Sequence, residues 1–157
     1  MMRIALGCDE VGLPLLDVIR KQLAERGVEV VDFGVHSTEP VLYPNIALEV
    51  ATSIASGQCD RGILICGTGI GMSISANKVP TVRAALCHDT YSAERARKSN
   101  DAQVLTMGAR VIGPELAKQI VSAWLASEFE GGGSLPKVVR MREIDEEFRG
   151  TPEKPVS

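Results

Sequence analysis

Residues 64–80 read LICGTGIGMSISANKVP: a cysteine, Cys66, closes an apolar run, and glycines follow at Gly67, Gly69 and Gly71. Glycines spaced this way let a backbone turn sharply and bring several N–H groups close to a ligand. A helix that follows adds the positive end of its dipole. Such a turn can serve only to start the helix. It can also hold a phosphate, or negative charge that develops during a reaction. Cys66 adds a thiol beside the row of N–H groups, suited to a nucleophile or a general base. Nucleophilic use ordinarily wants a histidine partner. The chain offers only His36, in a loop, and His88, at the end of an apolar run. General-base use needs only the thiolate and a stabilised anion opposite it, which suits these residues better.

A nucleotide site is the competing chemistry. G-x-G-x-G, a helix, a strand and then Asp89 imitate a dinucleotide-binding unit, but the G-x-G-x-x-G spacing and the GK[ST] of a Walker loop are missing. Too little chain follows for a dehydrogenase's substrate domain. The four cysteines, Cys8, Cys59, Cys66 and Cys87, form no CxxC pair and show no metal-ligand spacing; no cofactor is expected. In a reducing compartment they are free thiols.

The elements that must position these residues follow from hydrophobic periodicity. Strands are predicted at Arg3–Cys8, Val28–Phe33, Gly62–Cys66, Val82–Cys87 and Gln103–Met107. Helices fall between and after them, at Leu13–Glu25, Pro44–Ser56, Gly69–Lys78, Thr90–Ser99 and Pro114–Ala126. Alternation of this kind implies a parallel sheet covered on both faces, an α/β/α sandwich. The common order for five such strands is 2-1-3-4-5, which reverses between the first and third. Ligands bind beyond the carboxyl ends of the strands at such a reversal. That places Asp9 and Glu10, after the first strand, across a crevice from Cys66–Gly71. Beyond the glycine-rich EFEGGGSLPK, apolar residues at Val138, Met141, Ile144 and Phe148 suit an amphipathic helix. Such a helix packs on a neighbouring subunit or on its own sheet; the first is the expectation taken here.

At 157 residues the chain has room for one domain, expected over residues 1–150, with 151–157 as a disordered tail. A net charge of −3 and a sequence pI near 5.4 mark no nucleic-acid-binding surface. No apolar run is long enough for a membrane span, and MMRIALGCD lacks the pattern of a signal peptide, so a cytoplasmic protein is expected.

Several segments carry a resemblance: GCDEVG at 7–12, YP at 43–44, ILICGTGIGMSISANK at 63–78, VRAALCHDTYSAERARKSNDAQVLTMGARVIG at 82–113 and EGGG at 130–133. They resemble the ribose-5-phosphate isomerase B and galactose-6-phosphate isomerase family from Arg3 to about Ile144. The resemblance implies a Rossmann-like five-stranded sheet and a homodimer, often paired into a tetramer, with active sites at the dimer interface and no metal. It implies interconversion of an aldose phosphate and a ketose phosphate through a cis-enediolate. By that similarity Cys66 is the base moving a proton between C1 and C2. The backbone of Gly67, Thr68, Gly69, Ile70 and Gly71 holds the enediolate oxygens. Thr68 assists proton transfer between those oxygens, and Asp9, Tyr43 and Asn100 bind sugar hydroxyls.

Departures from the family pattern bear on substrate. Where the family usually reads GCDHAG, this chain has Glu10, either a repulsive charge toward phosphate or a solvated acid at a helix start. The family's ring-opening histidine is replaced by Ser99, a poor acid–base at neutral pH. After the glycine break, Gly133 and Lys137 stand where arginines are usual; Lys137 can neutralise phosphate without a bidentate fork. Arg110 matches a phosphate-binding arginine of the family, and Arg140 and Arg142 are candidates to compensate. Four-carbon sugar phosphates cannot close a normal furanose through a phosphorylated terminal oxygen and need no ring opening. The CGTGIG and HDTYSAER segments also look like the tetrulose-phosphate isomerase branch of the family. A tetrose or tetrulose phosphate is therefore preferred to ribose 5-phosphate. A non-catalytic sugar-phosphate-binding subunit is the other class, and it would have lost Cys66 and Thr68.

Overall fold

Alternation along each strand assigns side chains to the two faces of the sheet. The computed structural model describes residues 1–152 and 154–156. Its strands are β1 (Arg3–Cys8), β2 (Glu29–Asp32), β3 (Arg61–Cys66), β4 (Ala84–Leu86) and β5 (Val104–Gly108). Every pairing is parallel. Successive strand residues point to opposite faces. Ile4, Leu6, Cys8, Ile63, Ile65, Leu105 and Met107 therefore enter one core, and Ala5, Leu64, Cys66 and Val104 the other.

Helices α1 (Leu13–Glu25), α4 (Thr90–Lys98) and α5 (Pro114–Leu125) cover the first face. Helices α2 (Tyr43–Ala55) and α3 (Ile70–Asn77) cover the second. Proline in the first turn starts α1, α2 and α5, where its missing N–H costs nothing. Asp89 caps α4 by accepting from the Ser92 N–H at 2.6 Å. The three-layer Rossmann-like sandwich is the expected one.

The strand order corrects the expectation at one edge. The sheet runs β2-β1-β3-β5-β4 rather than 2-1-3-4-5. The last two strands exchange places because β5 buries all five of its residues between two neighbours. β4 has only three residues, and its Leu86 is 38% exposed, which suits an edge. The reversal between β1 and β3 stays where it was expected, so the crevice does too.

Helix α6 (Leu135–Phe148) follows a short 3-10 turn at Gly132–Ser134. It buries only Val138, and Asp145 accepts from the Thr81 N–H at 2.9 Å. Met141, Ile144 and Phe148 are exposed, so its apolar stripe stays uncovered by its own chain. Part of the expected tail, Glu153 and Ser157, lies outside the described residues. Among the described residues no helix is long and apolar enough to cross a membrane.

Candidate active site

Cys66 ends β3 and is 4% exposed. Its Sγ accepts a hydrogen bond from the Gly69 N–H at 3.2 Å. The chain turns into α3 at Gly69, whose φ is +78°. A Cβ there would also lie 2.8 Å from the Met107 carbonyl carbon, so both dihedral and space require glycine. Thr68 is exposed, and its Oγ1 accepts from the Ile70 N–H at 3.2 Å, leaving the hydroxyl hydrogen for another partner.

The floor of this turn comes from β5. Gly108 pairs with Cys66 in the ladder, and a Cβ on Gly108 would lie 2.7 Å from the Thr68 backbone. Its N–H donates to His88 Nε2 at 2.9 Å. That bond needs a neutral imidazole with its hydrogen on Nδ1, and burial holds the His88 pKa below its ordinary value. His88 therefore braces the turn from below. The pattern TMGAR after an apolar run was the sequence signal for Gly108; nothing local tied His88 to it.

The rim gathers the other expected residues at this end of the sheet. Asp9 is buried, and its Oδ1 accepts from the Gly12 N–H at 2.8 Å. Burial pushes the Asp9 carboxyl above the usual carboxylate range, while the Gly12 N–H and the Arg110 charge pull it down. Glu10 Oε2 accepts from the Val41 N–H at 3.2 Å, tying the loop before α2 to the start of α1. Tyr43 opens α2, and its ring lies directly over Gly71: a Cβ there would be 2.5 Å from Tyr43 Cε2. The Arg110 N–H donates to the Gly67 carbonyl at 3.0 Å, and its side chain lies 3.7 Å from where a Gly67 Cβ would sit. Asp9, Glu10, Tyr43, Cys66–Gly71 and Arg110 thus form one cluster.

Ser99, Asn100 and Lys137 are not in it. Helix α4 runs back along the sheet, so its C-terminal end lies at the opposite strand edge, beside the start of β4 and β5. There the Asn100 carbonyl accepts from Arg83 Nε at 3.1 Å. The length of β5, about 16 Å at about 3.3 Å per residue, separates that edge from Cys66. Ser99 Oγ accepts from Arg95 Nε at 2.9 Å and from Arg95 Nη2. Lys137 is exposed in the first turn of α6, whose Leu135 and Val138 line a cleft with Arg83, Asp101 and Gln103. Arg140 is engaged with Glu143 and Glu147 on its own helix. Among the described residues no group of three or more His, Cys, Asp and Glu is gathered as a metal ion would need.

Comparison with known proteins gives a consistent match. Residues 4–141 match the family model described as Ribose/Galactose Isomerase. The chain is 55% identical to the ribose-5-P isomerase B of Listeria innocua, over 94% of this chain and 100% of that one. It is 56% identical to the D-erythrulose-4-phosphate isomerase of Pectobacterium atrosepticum, over 90% of this chain and 93% of that one. The ribose-5-phosphate isomerase B of Clostridium thermocellum superposes with a TM-score of 0.92 at 48% identity, covering 94% of this chain and 99% of that one.

Proposed function

The chain belongs to the ribose/galactose isomerase family and is a sugar-phosphate aldose–ketose isomerase; from that footing we propose that Cys66 is its general base and a tetrulose 4-phosphate its preferred substrate. The observation that carries the first part is the Cys66 turn. A thiolate at Sγ faces the Gly69 N–H and the start of α3, and it needs no histidine partner to move a proton. Cys66 removes a proton from the carbon beside the carbonyl and returns it to the neighbouring carbon. The electron pair rests meanwhile on the enediolate oxygens, facing the N–H groups of residues 67–71. Thr68, with its hydroxyl hydrogen unspent, passes a proton between those two oxygens. The substrate is isomerised with no net redox change, and no cofactor is required.

Ser99 carries the substrate preference. Its Oγ accepts from Arg95, and a hydroxyl beside a guanidinium is no substitute for an imidazole as the acid–base group that opens a furanose. The relatives bear both substrate names, ribose 5-phosphate and erythrulose 4-phosphate. An open-chain four-carbon substrate requires no such group, so it fits this chain better.

The site is completed by a second copy of the chain. Asn100 and Lys137 lie a strand's length from Cys66, beyond side-chain reach in one subunit, while Ile70 and Ile74 on α3 and the stripe on α6 are exposed apolar surface beside the two halves. In a two-fold dimer each partner's Asn100 and Lys137 face the other's Cys66.

Proton NMR in D2O with erythrulose 4-phosphate and ribose 5-phosphate, on the wild type and Cys66→Ala, tests this reading. Deuterium should enter beside the carbonyl, faster with erythrulose 4-phosphate, and Cys66→Ala should abolish exchange while keeping the fold. Exchange retained in Cys66→Ala rules out the base; faster turnover of ribose 5-phosphate rules out the substrate preference.

A further inference from the structure

Thr81 and Asp101 are the only non-glycine residues with left-handed backbone among the described residues, at φ +72° and +48°. Such a conformation is unfavourable for L residues, most of all for a β-branched one, and persists only where the surroundings hold it. Both residues belong to one knot of hydrogen bonds built on Arg83. Arg83 Nε donates to the carbonyls of Asn100 and Asp101, each at 3.1 Å. Nη2 pairs with Asp101 Oδ2 at 3.0 Å, and Nη1 reaches the Thr81 carbonyl at 3.4 Å. Gln103 closes the ring: its Oε1 accepts from the Arg83 N–H at 2.8 Å, and its Nε2 donates to the Thr81 carbonyl at 3.0 Å. Asp101 Oδ1 takes a further bond from Arg97 Nη1 at 3.1 Å.

The consequence falls on Asn100. Its side chain is exposed, yet its own carbonyl and the whole of the next residue are pinned. The direction of the amide is therefore set by a rigid backbone and not by packing of the side chain. We infer that Arg83 is a positioning residue for Asn100, its guanidinium fixing the Asn100–Asp101 backbone from which the amide is presented to substrate. This deepens the proposed function and rests on the role given there to Asn100. Arginine is required because its planar fork meets several carbonyls at once in fixed directions, which a lysine ammonium cannot do.

The test is a double-mutant cycle on turnover and KM with Arg83→Lys, Asn100→Ala and the pair, each checked for fold by thermal melting. A misplaced amide should lower kcat/KM about tenfold or more in Arg83→Lys. Adding Arg83→Lys to Asn100→Ala should then cost nothing further, because there is no amide left to misplace. Should Arg83→Lys fail to fold, Asp101→Asn, which tolerates left-handed backbone but removes the carboxylate, is expected to show the same non-additivity. Additive losses with a slow Asn100→Ala overturn the positioning role alone. An Asn100→Ala enzyme as fast as wild type removes Asn100 from the site, and the inference with it.

Discussion

Replacing Gly71 by alanine separates stability from activity in a way the structure makes specific. Gly71 lies inside α3 without a positive φ, so its backbone accepts alanine. In a helix interior alanine is favoured over glycine by about 1 kcal/mol, and less near the first turn. The added Cβ, however, would sit 2.5 Å from Tyr43 Cε2 and closer still to Cζ and Oη, where ordinary contact begins near 3.4 Å. The ring, not the helix, is the part that can give, and it must swing by about 1 Å or more. With Tyr43 in the sugar-binding role that the family resemblance gives it, displacement of that size costs roughly 100-fold in turnover. Gly71→Ala should therefore leave Tm unchanged or raise it by about 2 °C, while kcat/KM falls roughly 100-fold. In a Tyr43→Ala background, which removes the ring, Gly71→Ala should cost nothing more. Thermal melts and steady-state kinetics on the four variants read this out. Full activity in Gly71→Ala would refute the reasoning; an equal loss with and without the Tyr43 ring would move the cause to the turn itself.

Mixing the inactive Cys66→Ala with the slow Asn100→Ala subunits after mild dissociation should bring turnover to about a quarter of wild type, the statistical yield of one intact site in each mixed dimer. No recovery would place both residues in a site within one subunit. Because burial lowers the His88 pKa in the fold, the unfolded chain binds a proton there more readily, and the bond from Gly108 is lost on protonation. Tm should therefore fall as pH drops from about 7.5 through the unfolded-state value near 6.5, and fall less in His88→Gln, which still accepts but does not titrate; equal slopes would dismiss His88 as a contributor. Arg61 is buried under Trp124 and donates to the carbonyls of Trp124, Leu125 and Ser127 at the end of α5. Arg61→Met should cost about 2–4 kcal/mol and lower Tm by roughly 10 °C in a thermal melt, with turnover at low temperature nearly intact.

The sequence by itself determined what depends on neighbours along the chain. Strand alternation, helix periodicity, the prolines that open helices and the CGTGIG turn are all local. They placed Asp9, Glu10 and Cys66–Gly71 together through the reversal between β1 and β3. The Ser99 and Lys137 departures were legible too, as residue types standing at family positions. Only the tertiary structure decided the rest. Which of two apolar strands lies inside a sheet depends on hydrogen bonding to strands distant in sequence, so β5 displaced β4 from the expected place. The direction in which α4 returns along the sheet carries Asn100 away from Cys66, although 34 residues of spacing say nothing about that distance. His88 beneath Gly108, and Arg83 holding Thr81, Asn100 and Asp101, are likewise contacts between turns that meet only once the sheet has formed.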